Sequence, residues 1–451
     1  MNAIKKVAHG YTRLNLVIRI IIGMVLGIVL ALLCPGQTWI SMFGDLFVGA
    51  LKAIAPVLVF VLIAGSLATS NSHLGKKFGT VIILYFFSTF CAAVTAVAAS
   101  FLFPQKIMLS GVSAAANKGA PQGIGGVIHD LLLNVVTNPF QSISQGNFIG
   151  VLFWAVLFGV AMKKIASPTT KTFMENVSDG ITQVVRWIIE LAPFGIMGLV
   201  FEAVSSLGMA VFKDYGKLLL LLFCTMMTVA LIIDPLVSAI CMRRNPYPLV
   251  GRCLKDSGIT AFFTRSSAAN IPVNMKLCEK LGLDEDMYSV SIPLGATINM
   301  NGAAVTITVM TLATANTVGI HVDVPSAILL SVLATFGAAG ASGVAGGSLM
   351  LIPMACSLFG IGNDISMKVV GVGFMLGVLN DSVETMINSS GDVLFAATAE
   401  FRALKKSGKL LPGFMYTRHE RKKLGISKDY VPRPEQDDPI ADEIKDIEVS
   451  E

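Results

Sequence analysis

The chain has 451 residues, 54% of them hydrophobic and only 14% charged, where a soluble protein of this size carries about a quarter charged residues. With a mean hydropathy of +0.71, this composition excludes an ordinary soluble domain and places the chain in a membrane. The net charge of +5 is explained by membrane topology rather than by nucleic-acid binding.

The segment Met1–Arg13 carries Lys5, Lys6 and Arg13 ahead of an apolar run to Leu33. No small-residue cleavage pattern follows, and Cys34-Pro35-Gly36 leads into another apolar segment, so the run reads as an uncleaved first helix. Apolar runs predict spans at 14–34, 45–70, 78–103, 127–162, 178–206, 216–242, 285–318 and 365–400. With the N-terminus in the cytoplasm, the inner loops hold Lys76, Lys77, Lys163, Lys164, Lys171, Arg243, Arg244, Arg252 and Lys255. The outer loops hold few basic residues, such as Lys106, Lys118, Lys213 and Lys217, so both termini are expected inside. The seven cysteines form no CxxC pair and lie mostly in apolar runs, which predicts buried thiols rather than a disulfide frame or a metal site.

The second half collects the polar groups. Segment 252–283 contains Thr264-Arg265-Ser266-Ser267-Ala268-Ala269-Asn270-Ile271-Pro272, costly at membrane depth and helix-breaking; a plain cytoplasmic loop is the competing reading. Span 285–318 contains Gly295-Ala296-Thr297-Ile298-Asn299-Met300-Asn301-Gly302. Two asparagines and a glycine there predict a locally unwound helix, whose carbonyl and amide oxygens are hard, neutral ligands for a small cation. Hydrogen bonding between helices is the alternative. Segment 324–360 is interrupted by Phe336–Ser348, with glycines at 337, 340, 343, 346 and 347. Each arm is about a dozen residues, too short to cross a bilayer, which predicts a re-entrant hairpin with its tip inside the protein. Span 365–400 carries Asp381, Glu384, Thr385, Asn388 and Asp392 at offsets 0, 3, 4, 7 and 11, all on one helical face. Three carboxylates among apolar residues must face a bundle interior and meet cations. Beyond Leu411 the chain turns polar: Arg418, Arg421, Lys422 and Lys423, then acidic Glu435–Glu451. It reads as a solvated, disordered tail, with a docking segment as the other possibility.

Each interrupted segment is followed by a span with polar groups, and the topology brings the two interruptions in from opposite sides. That is the pattern of an inverted repeat with a midplane site. These motifs resemble the dicarboxylate/amino acid:cation symporter family over nearly the whole chain to about residue 402. Phe262–Pro272 and Thr385-Met386-Ile387-Asn388-Ser389-Ser390 look most like its serine/threonine:sodium branch.

The resemblance implies an all-α polytopic fold with eight transmembrane helices, two re-entrant hairpins, and scaffold and transport domains working as an elevator in a homotrimer. Residues 1–250 would be mainly scaffold, with helix 78–103 moving with the transport core 251–402, and 403–451 a cytoplasmic tail. The chain would be a symporter, not an enzyme, importing L-serine and L-threonine with sodium as coupling ion and no other cofactor. It would sit in the lipid bilayer of the bacterial inner membrane and bind no nucleic acid.

Carried over by motif, the substrate ammonium would meet Asp381, and its carboxylate would meet Asn388 and the first tip near Ser267. Thr385 and backbone near Val344 would complete the pocket. One sodium would lie among Gly295, Asn299 and Asn388 with the Asp392 carboxylate, and a second near the later tip with Thr297 and Met300. Glu384 stands where glutamate carriers place an arginine, which disfavours acidic substrates. With Ser348, it offers a partner to a substrate hydroxyl. Asn301 replaces an aspartate, so a deeper sodium site using Tyr85, Ser88 and Thr89 would lose its carboxylate, and fewer sodium ions would be coupled. Ala345 replaces a proline of the later tip. A dicarboxylate carrier of the same fold, a passive channel, and proton coupling through Asp381 or Glu384 are the competing readings. No HExxH, P-loop or Ser-His pairing supports a membrane enzyme.

Overall fold

The computed structural model describes residues 14–69, 76–109, 135–339 and 346–432, with positions 125, 129, 132 and 133. Among them the regular structure is helical. In chain order the helices are α1 (Leu16–Leu33), α2 (Ser41–Thr69), α3 (Lys76–Leu102), α4 (Pro139–Gln145), α5 (Phe148–Ile165), α6 (Pro168–Glu190), α7 (Ala192–Leu207) and α8 (Val211–Met242). Next, Tyr247–Arg252, the π-helical Cys253–Gly258 and Ile259–Thr264 run on as α9, followed by α10 (Ser267–Leu281), α11 (Glu285–Ile298) and α12 (Asn301–Val318). Then come α13 (Val324–Ala338), α14 (Ile352–Ser357), the 44-residue α15 (Asn363–Lys406) and α16 (Arg418–Lys423). Among the described residues seven spans are long and apolar enough to cross a membrane, eight when the bent pair α6 and α7 counts as one. The chain is therefore a multi-pass membrane protein.

Burial divides the spans. The apolar window of α1 is 22% buried and presents Ile18, Ile21, Val25, Leu26 and Val29 outward, whereas that of α11–α12 is 94% buried. A helix apolar on its outer face suits hydrocarbon; a helix buried all round is the centre of a bundle. Helices α1, α2, α5, α6 and α7 pack on one another, while α3 and α8 to α15 gather around α12 and α15. The second group holds every buried carboxylate of the polar segments.

The expected span 127–162 is corrected. The transmembrane helix there is α5, which starts at Phe148; α4 ends at Gly146 (φ 67°), and Asn147 caps α5 by accepting from the Gly150 amide. Hydropathy ran through these stop and start residues; most of 127–134 lies outside the described residues. The expected span 178–206 is a bent pair, turning by 53° at Leu191, where Pro193 stands in the first turn of α7.

The stretch after α15 is also not the solvated tail expected, as far as Pro432. The Gly413 amide donates to Tyr430 O (2.8 Å). Arg252 lies 4.0 Å over the Phe414 ring, and Arg244 lies 4.2 Å over Tyr416 while pairing with Glu420 at 2.7 Å. Thr417 and Glu420 form a reciprocal cap on α16. The amide of Thr417 holds the Glu420 carboxyl below its usual range. This strap docks on the base of the first hairpin. The acidic residues from 433 onward lie outside the described residues.

Candidate functional site

The site forms where α11 and α12 fail to join. Asn299 (φ −91°, ψ 81°) and Met300 (φ −120°, ψ 53°) leave the helical region, so backbone groups at mid-bundle are released from the helix ladder. Side chains take them up. The Gly302 amide donates to Asn388 Oδ1 at 2.7 Å, and the Asn299 amide group donates to both Asn388 O and Asp392 Oδ1 at 3.0 Å. Asn388 Nδ2 approaches Met300 Sδ at 3.4 Å. Tyr85 of α3 donates its hydroxyl to Asp392 O (3.0 Å) and Ser291 O (3.2 Å). Close approach makes Gly295 necessary: a Cβ there would stand 2.8 Å from Asp392 Oδ1 and 2.9 Å from the Tyr85 hydroxyl. Asp392 is fully buried, and its Oδ2 has no hydrogen-bond partner among the described residues. An oxygen in that condition suits a cation.

About two to three turns before Asp392 on the same face of α15, Asp381 and Glu384 meet both broken segments. Glu384 Oε2 accepts from Thr306 (2.7 Å) and from Ser348, just past the second tip (2.9 Å). Asn380 donates to Thr306 Oγ1 (3.1 Å). Asp381 Oδ1 accepts from the Gly346 amide (3.3 Å), and Asp381 Oδ2 lies 3.6 Å from Arg265 Nε of the first tip. Arg265 reaches there because it ends α9 in the left-handed region (φ 51°), a conformation rare outside glycine. A cavity of about 30 Å³ is lined by Arg265, Gly346, Ser348, Asn380, Asp381 and Glu384. Its walls carry a guanidinium, two carboxylates, one hydroxyl and one side-chain amide, groups complementary to a small zwitterion, but the space is that of about one water and must widen to admit one.

The first tip is held by a polar ladder rather than by apolar packing. Ser257 donates to Asn274 Oδ1 (2.5 Å), while the Asn270 amide reaches Ser257 Oγ (3.0 Å) and Ser389 Oγ (2.8 Å). Asn274 also donates to Ser389 O (3.0 Å), tying both hairpin arms to α15. Buried polar networks of this kind fix one geometry; here Asn270 Oδ1 alone of the ladder's side-chain groups is left without a hydrogen-bond partner among the described residues.

Of the residues singled out in the sequence, Asp381 and Glu384 converge on the cavity, and Gly295, Asn299, Asn388 and Asp392 on the helix break. Ser267 is buried in the first turn of α10, behind Ser266, which caps that helix by accepting from the Ala269 amide (3.2 Å). The hydroxyls of Thr297 and Thr385 donate to Leu294 O and Asp381 O, within their own helices. Val344 lies outside the described residues. Sequence reasoning missed Thr306, Asn380 and Asp234. The first two were hidden as ordinary polar positions, although Asn380 adjoins Asp381. Asp234 belongs to an apolar span, and its single carboxylate before a proline was the available signal. It accepts from Asn301, so the loss of a carboxylate at position 301 is not a loss of carboxylate from that neighbourhood.

A profile of the sodium:dicarboxylate symporter family matches residues 16–400. The chain is 62% identical over 424 residues to the serine/threonine transporter SstT of Bifidobacterium adolescentis, covering 94% of this chain and 98% of that protein. Against the serine/threonine transporter SstT of Streptococcus thermophilus the identity is 56% over 403 residues, covering 89% of this chain and all of that one. Against the protein of the same name from Streptococcus agalactiae it is 54% over 396 residues, 88% and 98% of the two chains.

Proposed function

Since the chain belongs to the sodium:dicarboxylate symporter family, we propose that it carries L-serine and L-threonine into the cell together with sodium. The observation that carries this reading is the pairing of Glu384 with Thr306 and Ser348 beside Asp381 and Arg265. A carboxylate stands where recognition of an acidic side chain needs a cation, and it already accepts hydroxyl donors. A substrate hydroxyl can replace one of them.

In this reading Asp381 takes the substrate ammonium, displacing Arg265, while Asn388 and the first tip near Ser267 take its carboxylate. Thr385 and the second tip near Val344 close the pocket. Sodium sits at the helix break on Gly295, Asn299, Asn388 and Asp392, and a second ion lies by Thr297. The open Asp392 Oδ2 supports the first of these. Ion binding at the break reaches the substrate through Asn388, which touches both, so each ligand favours the other. Residues 251–402 with helix α3 would move as the transport core against a scaffold made of the other N-terminal helices, in a homotrimer in the bacterial inner membrane with both termini in the cytoplasm. The docked strap after α15 would then travel with the first hairpin.

Serine binding to the purified protein, measured in sodium and again in potassium, tests the reading. Serine binding in sodium only, displaced by threonine and not by aspartate, is the expected result. Displacement by aspartate at similar concentration would move the assignment to a carrier of acidic amino acids.

A further inference from the structure

At the membrane surface where α8 and α15 end, three helices each turn a short stripe of side chains to one cavity of about 660 Å³. Two stripes are apolar: Leu84 and Phe87, one turn apart on α3, and Val237 and Ile240, one turn apart on α8. The third is basic. Arg402, Lys405 and Lys406 stand at offsets 0, 3 and 4 on α15, and Arg243, which closes α8, adds a fourth cation.

Neutral atoms hold these cations in place. Lys405 Nζ donates to Arg243 O (3.1 Å), and Arg402 Nη1 lies 3.7 Å from Cys241 Sγ. Among the described residues no carboxylate comes within ion-pair distance of any of the four. Arg402 and Lys406 are also four apart on one helix, a spacing at which like charges repel. Snorkelling explains a basic residue at a helix end, but not four from two helices around one cavity. The chain gathers positive charge here without a counter-charge, so an anion from outside stabilises it.

The apolar stripes indicate what carries that anion. Phe87 is 51% and Ile240 69% exposed, so the cavity opens sideways through its apolar wall. Leu84 and Phe87 belong to the apolar span Phe78–Leu102, at the depth of hydrocarbon. A soluble anion would meet the cations and leave this wall bare. A phospholipid covers both, with its phosphate on the guanidinium and ammonium groups and an acyl chain along the wall.

We propose that Arg243, Arg402, Lys405 and Lys406 bind the headgroup of an anionic phospholipid whose acyl chain lies along α3 and α8. The inference needs only a multi-pass chain in a bilayer and stands apart from the symport reading.

The test is lipid binding to the purified full-length protein in detergent, read by native mass spectrometry as lipid-bound against lipid-free chain. Phosphatidylglycerol binds wild type more tightly than phosphatidylcholine with the same acyl chains. Arg402→Gln with Lys406→Gln, both exposed, weakens phosphatidylglycerol binding by about fivefold per charge, or about 25-fold together, and leaves phosphatidylcholine unaffected. Lys422→Gln with Lys423→Gln takes the same charge from exposed positions on α16 and changes nothing. Ile240→Ser keeps all four cations and weakens binding by removing part of the wall. Equal affinity of wild type for the two lipids overturns the site, and so does an equal loss in the two paired variants. Displacement of the lipid by inorganic phosphate, or full binding by Ile240→Ser, overturns the lipid and leaves a site for a soluble anion.

Discussion

Gly295→Ala tests the helix-break site with the smallest perturbation available. The added methyl would stand 2.8 Å from Asp392 Oδ1 and 2.9 Å from the Tyr85 hydroxyl, both on buried side chains. Ordinary contact starts near 3.4 Å, so the carboxylate must retreat by about 0.6 Å. The retreat cannot be free, because Asp392 Oδ1 is held by the Asn299 amide at 3.0 Å. A hydrogen bond to a charged group contributes about 1.5–3 kcal/mol, and losing most of one there costs about 1.5–2 kcal/mol. In binding terms that is about 10- to 30-fold. The sodium concentration giving half-maximal serine uptake should rise by that factor, and uptake should recover at high sodium. Alanine favours a helix over glycine by about 1 kcal/mol, which offsets part of that cost in the fold, so the sodium requirement should move more than thermal stability does. An unchanged sodium requirement would refute the placement of sodium between Gly295 and Asp392. Uptake lost at all sodium concentrations, in a protein that still binds serine, would do the same.

Glu384→Arg should weaken serine transport, because Thr306 and Ser348 lose their acceptor, and should let aspartate compete; unchanged serine uptake in this variant would remove Glu384 from recognition. Asn270→Ala leaves Ser257 Oγ without its donor, while Ser389 Oγ keeps the one from Asn274 (3.0 Å), and should cost about 1–3 kcal/mol of stability, read by thermal unfolding, with the sodium requirement unaltered. The strap after α15 should loosen in acid. The Glu420 carboxyl is held low in the folded chain, so its contribution is complete above the ordinary carboxylate range and is lost as pH falls through its folded value. Proteolysis within 409–432 should speed up as pH falls. Arg244→Ala should show that faster cleavage already at neutral pH, and a cleavage rate indifferent to both would contradict the docking.

Much of the architecture was legible because the signals were local and strong. Hydropathy located α1, α2, α3, α8 and α15, and the glycine and asparagine runs located the broken segments. The face of α15 followed from helical spacing alone. Where hydropathy and capping disagreed, as at Gly146-Asn147, the capping residues decided the boundary and the apolar run misled. The strap was missed because its hold is made of cation–ring and backbone contacts to Arg244 and Arg252, residues that a polar composition makes look solvated. Long-range partners were the larger omission. Periodicity shows that Asp381 and Asp392 share a face, but not that Arg265 comes to one and Asn299 to the other. Nor does it show that Asp234, 67 residues before Asn301, supplies a carboxylate to it.

The central claim is that sodium and serine cross together. Labelled L-serine uptake into proteoliposomes, with an inward sodium gradient and then with potassium in its place, addresses it most directly. The account predicts accumulation above the external concentration in sodium, collapse in potassium, block by threonine and indifference to aspartate. Serine entry that merely equilibrates, or that proceeds equally well in potassium, would contradict it.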